Sequence, residues 1–170
     1  MNTPALDAKP TSAELVTCLE ALQAMPNRLR AVVQRCPPQQ RLERRSGALF
    51  SLTEQVCHLR DIELEGYTLR IARVLGEDLP ELQEIDGTTL AETRRYQQQD
   101  LALALDLFCR QRLGNVALLR DHLAGNAQRL GIFGGFGVVT LWSLVQGMVA
   151  HDTEHLGEIE ALGYAGERMI

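Results

Sequence analysis

The sequence predicts an all-α protein, a four-helix bundle with a short extra helix in one crossover. Three observations carry this. Four long segments repeat apolar residues at helical spacing, capping signals open three of them, and no run alternates convincingly at period two. Little or no sheet is therefore expected, and four long helices joined by modest loops bury their apolar stripes best against one another.

Residues 1–11 hold Pro4 and Pro10 with little periodicity and read as a flexible arm before a single domain over 12–170. Thr11-Ser12-Ala13-Glu14 is a capping box, in which side chains at both ends satisfy free amides of the first turn. It opens a helix through Leu15, Leu19, Leu22, Leu29 and Val33, which Pro26 should kink or split and Cys36-Pro37-Pro38 should end. A second box, Ser51-Leu52-Thr53-Glu54, starts a helix running to about Leu75, with Gly76 as its stop. An acidic, turn-rich stretch follows, then a short helix near Thr88–Arg95. The third long helix covers Tyr96 to Leu123, with Leu101, Leu105, Phe108, Arg112, Val116 and Leu119 in register and Gly114 as a weak point. After the glycine-rich 131–137 loop, whose role the sequence leaves open, Thr140 caps a last helix from Leu141 to about Leu162, closed by Gly163.

Composition narrows the function. A net charge of −5 and a pI near 5.4, with no basic stripe, argue against a nucleic-acid partner. No stretch approaches the roughly 18 apolar residues a membrane span needs, and the N-terminus lacks the pattern of a signal peptide. Cys18, Cys36, Cys57 and Cys109 are scattered without a C-x-x-C pair, which suits reduced thiols in a cytoplasmic protein.

The chemistry-bearing residues are histidines. His151 and His155 stand one helical turn apart, on the flank of the stripe made by Leu141, Leu144, Val145, Met148, Ile159 and Leu162. His58 lies at the edge of the apolar arc of the second helix, while His122, beside Asp121 near the end of the third, is expected to be exposed. Polar groups facing a bundle interior are costly unless paired or metal-bound. Three neutral imidazoles on one ion leave a coordination position open, the arrangement of catalytic rather than structural sites. Asp152, Glu158, Glu54 and Asp61 are the carboxylates placed to orient such ligands or to move a proton, although each is more commonly a solvated surface group.

Competing motifs fit worse. His151-Asp152-Thr153-Glu154-His155 resembles a zinc-peptidase motif with Asp for the Glu base, and no third histidine follows. A di-iron bundle needs two Glu-x-x-His motifs, but Gln55 stands three residues before His58. The glycine-rich loop follows no expected strand and lacks a phosphate-binding lysine. Cys57 points away from His58 and reads as a buried small residue.

The block Ser51 to Glu63, with His58-Leu59-Arg60-Asp61, resembles the second-helix signature of the DinB/YfiT-like superfamily. Gly137 through Ile159, with its H-x-x-x-H pair, resembles that superfamily's final helix, so the likeness spans the chain from about Ala13 onward. The resemblance implies an up-down-down-up bundle with His58, His151 and His155 as ligands of zinc or nickel. It implies a transferase activity in which the metal activates a low-molecular-weight thiol toward an electrophilic substrate. A hydrolase using water held by the metal, or a metal-binding stress or interaction module without turnover, are the alternatives. A homodimer is compatible with the sequence.

Overall fold

The computed structural model describes residues 8–45 and 47–162. Most of the expected arm and the expected stop at Gly163 lie outside the described residues. Helix α1 (Ser12–Arg35) opens on the capping box of Thr11 and Glu14. Of the expected kink or split at Pro26, the split does not occur, and the helix is continuous through it. An interior proline costs about 3 kcal/mol, and here the flanking Leu22, Met25, Leu29 and Val32 are all buried, which offsets that cost.

The second long helix departs from regularity in its middle. Helix α2 (Leu52–Asp61), capped by Ser51 and Glu54, passes into a π-helical turn over Ile62–Tyr67 and then into α3 (Thr68–Gly76). The Thr68 amide donates to the Glu63 carbonyl five residues back, and the Thr68 hydroxyl donates to the same oxygen at 2.7 Å. Such single-turn bulges turn side chains off the regular helical register. The crossover that follows carries the short extra helix α4 (Gly87–Thr93), N-capped by Asp86. Tyr96–Gln98 forms a separate 3-10 turn rather than the start of the third long helix, because Arg95 takes a left-handed conformation with φ 49°. Helix α5 (Leu101–Asn126) starts instead at its Asp100 cap, and α6 (Leu141–Ala161) at the Thr140–Ser143 box.

In the bundle α1 packs against α5 and α6, and α2 also packs against both. The first two long helices are thus diagonal to one another, which is why the connections must cross the ends of the bundle.

A small sheet supplements the helices. Strand β1 (Glu81–Leu82) pairs in parallel with β2 (Leu130–Phe133), which pairs antiparallel with β3 (Gly137–Thr140). The glycine-rich stretch is the tip of this hairpin. At Gly134, with φ +37°, an added Cβ would lie 1.7 Å from Glu84 Oε1, which instead accepts from the Gly135 amide at 2.6 Å. The crossover and the hairpin tip are thereby fastened together.

The core is two apolar clusters. One gathers Met25, Leu29, Phe50, Leu52, Leu59, Tyr96, Phe108 and Leu156; the other gathers Leu22, Ile71, Val74, Leu119, Leu141, Trp142 and Met148. Along the second long helix, α5 and α6 the residues between them are polar: His58 of α2 and Glu63 of the π turn, Arg112 and Asn115, His151, Asp152 and His155. This polar layer is where the chemistry sits.

Candidate metal centre

Capped by Ser51, α2 aims His58 inward, and α6 presents His151 and His155 from successive turns. One nitrogen from each of the three rings lies within 4.8 Å of the others. The His58 and His151 Nε2 atoms are 3.3 Å apart, and the His155 ring centre lies 4.6 Å from that of His58, tilted, and 4.4 Å from that of His151, edge-on. His122 is exposed and far along α5 from this cluster.

Two of the rings are held so that one nitrogen remains to be offered. His155 donates from Nδ1 to Gln55 Oε1 at 2.8 Å, and Glu158 Oε2 stands 3.0 Å from the same atom. Gln55 Nε2 in turn donates to Glu158 at 2.8 Å, so the amide is locked and His155 has Nε2 to give. The Nδ1 edge of His58 is closed by Gly87, where an added Cβ would sit 2.3 Å from the ring's Cε1. That Nδ1 is buried without a hydrogen-bond partner. Burial, reinforced by the neighbouring imidazoles, pushes His58 down to about 4 and His151 down to about 2. Both rings are neutral at physiological pH with lone pairs available, the state a metal requires of histidine. Three neutral imidazoles converging at this spacing fit a divalent ion bound at about 2.0–2.1 Å per nitrogen.

A family model of the DinB superfamily matches residues 21–159. This chain belongs to the DinB superfamily. Among solved structures it is similar to YfiT from Bacillus subtilis, with a TM-score of 0.83 and 21% identity over 95% of this chain and 91% of that one. That protein is described as a probable metal-dependent hydrolase with an unusual four-helix bundle topology. No protein of curated function matches the chain.

Of the four carboxylates singled out in this DinB-superfamily sequence, the structure brings one to the histidines, Glu158. Asp152, although next to His151, is held by Arg112, which donates from Nη2 at 2.9 Å and from Nη1 to the other oxygen. Glu54 pairs with Arg44 and accepts from the Ser51 amide at 2.9 Å. Asp61 accepts from Arg60 and from the Tyr96 hydroxyl, each at 2.7 Å. These three therefore anchor structure around the site, and no ring nitrogen of the cluster contacts them.

Sequence reasoning missed three groups. Arg112, on the core stripe of α5, is only 1% exposed and also donates to both oxygens of Glu63 at 3.0 and 2.8 Å. Asn115 adds a donation to Glu63 at 2.7 Å. An arginine among leucines at helical spacing was the available signal, since a buried guanidinium demands carboxylates. In the sequence Gln55 signals only that a di-iron motif is absent. Gly87 sits at the end of the turn-rich crossover, where a glycine signals a turn and nothing more.

The histidines open onto a cavity of about 690 Å³. His58 and His151 form its floor, Ile62, Leu144 and Val139 its apolar sides, and Phe133 and Phe136 of the hairpin its outer wall. Those two rings stack at 5.2 Å. The crossover contributes Glu84 and Ile85, so the connections build what the bundle alone would leave open. No disulfide joins the four cysteines, and none of them belongs to the cluster or the cavity lining.

Proposed function

We propose that the protein is a divalent-metal-dependent enzyme, most simply a transferase that joins a small thiol to an electrophilic substrate. The observation that supports this best is the three-histidine cluster, two of whose rings, His58 and His151, line a mostly apolar cavity, with no fourth protein ligand among the described residues. His58, His151 and His155 would hold the ion, zinc or nickel by the donor set. A bound divalent ion supplies Lewis acidity that ionises a coordinated thiol at neutral pH, where a free thiol with pKa about 8.5 is mostly protonated.

The chain's own groups do the rest. Gln55 and Glu158 fix the His155 tautomer. The apolar walls exclude water from the nucleophile. Tyr67, its ring edge-on to His151 at 5.9 Å, is kept protonated because burial raises its pKa. Its hydroxyl can therefore donate to charge developing on the departing group. Sulfur forms the new bond to the electrophilic carbon, the leaving group departs with its electron pair, and the thiol proton passes to solvent past the exposed Glu154 at the cavity mouth.

A metal-dependent hydrolase is the second reading. It is favoured by the description of YfiT and needs no ligand different from those named. The test is metal analysis of purified protein, followed by conjugation of a thiol to a chloro-nitroaromatic electrophile and by ester and amide hydrolysis, each with and without chelator. Metal-dependent conjugation that disappears in His151→Ala supports transfer. Hydrolysis with the same dependence, without conjugation, moves the assignment to the hydrolase. Protein that holds no stoichiometric ion overturns both.

A further inference from the structure

Arg70 is an unexplained charge in the wall of the cavity. It lies on α3 just past the π turn, is 7% exposed, and lines the same space as His58 and His151. Its guanidinium sits over the Phe133 ring at 4.3 Å and against Tyr67 at 5.6 Å. Nε and Nη2 both donate to one acceptor, the Gln83 carbonyl, at 3.1 and 2.9 Å. Nη1 has no acceptor among the described residues, and no carboxylate there forms an ion pair with Arg70. The other buried arginines of the molecule differ. Arg112 has Glu63 and Asp152, and Arg60 has Asp61.

A guanidinium so buried is expensive without an anion. Neither of the two carboxylates that line the same cavity contacts it. The charge of the exposed Glu84 reaches Arg70 only from beyond ion-pair distance, its Oε1 being turned to the Gly135 amide, and Glu154 is exposed on α6. Gly66, one turn before Arg70, keeps space beside the guanidinium; a Cβ there would press on Nη1 at 3.2 Å. The rest of the lining is mostly hydrocarbon and aromatic, which suits a strongly polar thiol poorly along its whole length.

We infer that Arg70 is a specificity-determining residue that binds the carboxylate of a substrate with a compact apolar body, placing the body against Phe133, Val139 and Leu144 and its other end toward the histidines. The substrate class is thus a small apolar monocarboxylate, and it is the molecule acted on rather than the thiol. The inference rests on the cavity being the substrate site of the metal-dependent reading above. Tyr67, which touches both Arg70 and His151, couples the two ends of that site.

The experiment compares 3-phenylpropanoate with 3-phenylpropanamide by calorimetric titration of the full chain, zinc-loaded and chelator-treated. The acid should bind at least about tenfold tighter than the amide in both forms, since a charge-assisted pair is roughly twice as strong as a neutral one. In Arg70→Gln that preference should fall to near unity while zinc stoichiometry stays that of the wild type. Equal binding of acid and amide to the wild type overturns the inference without any variant, even should Arg70→Gln fail to fold. A preference that survives in Arg70→Gln, or that exists only with zinc bound, also overturns it, the latter because the carboxylate is then on the ion. N-acetylcysteine, a polar carboxylated thiol, is the control for source; in the chelator-treated protein, where sulfur has no ion to bind, tighter binding than 3-phenylpropanoate that is lost in Arg70→Gln would assign Arg70 to the thiol and sink the substrate assignment. Zinc that fails to bind at all, with the acid preference intact in the chelated protein, counts against the metal reading alone.

Discussion

At Gly87 a single hydrogen in place of a methyl group decides where His58 points. The crossover backbone presses on the ring so closely that a Cβ would lie 2.3 Å from Cε1 and 2.6 Å from Nδ1. Gly87→Ala is therefore predicted to displace the ring and lower zinc affinity by about 10- to 100-fold, the usual cost of disturbing a group that orients a ligand. Helical content should be unchanged; chelator competition reading wild-type affinity would show that the contact is slack. Glu54 makes a second, independent prediction. Burial alone would raise its pKa, but Arg44 and the Ser51 cap outweigh burial and bring it down from 4.5 to about 2. Because the folded value is below the unfolded one, the stabilisation is complete above about 4.5 and is lost as pH falls toward 2. Glu54→Gln should thus lower the melting temperature most at neutral pH, with the gap to wild type closing across that window. A gap of constant size down to pH 3 would show that the carboxylate's charge is not what matters.

Among the elements, the π turn of the second helix and the Arg112 side chain of α5 solve one problem together. The turn brings Glu63 to face α5, and Arg112 then joins Glu63 to Asp152 on α6. Burial raises the pKa of both carboxyl groups and Arg112 only partly opposes it, so each acid leans on the one cation. Arg112→Leu should destabilise the protein by about 3–5 kcal/mol, the cost of stranding buried charge partners. Urea denaturation showing a loss below about 1 kcal/mol would mean that water or protonation rescues the acids readily. These elements also show where sequence reading reached its limit. The caps Thr11, Ser51 and Thr140, the core stripe of α6 and the inward flank of the three histidines follow from local spacing, and all were legible. A one-residue bulge at Ile62–Tyr67 leaves almost no trace in a 3.6-residue period. The strands at Glu81–Leu82 and Leu130–Phe133 are too short for alternation to register. The partners of Arg70 are the Tyr67 ring in the bulge, the Phe133 ring on β2 and the Gln83 carbonyl just after β1, so the cavity wall could not be read before the fold was known.

Over the whole molecule, the polar layer separates two apolar clusters that share no side chain, and the three histidines tie α2 to α6 across that layer. An ion held there would bind the folded chain alone, since the unfolded chain has His58 and the His151–His155 pair far apart in sequence. Binding to one state raises stability by an amount set by concentration over affinity, about 2.7 kcal/mol when free ion stands a hundredfold above its dissociation constant. For a chain of this size each kcal/mol moves the melting temperature by about 2–4 °C. Zinc should therefore raise the melting temperature by about 5–10 °C at that ratio, chelator should reverse the rise, and His151→Ala should abolish the response. The variant itself should fold, because His151 is among the polar groups between the clusters and removing it opens little of either. This readout does not depend on the reaction catalysed. A melting temperature indifferent to zinc, nickel and chelator in the wild type would mean that the three imidazoles meet without an ion, and the function would have to be sought from the cavity and Arg70 alone.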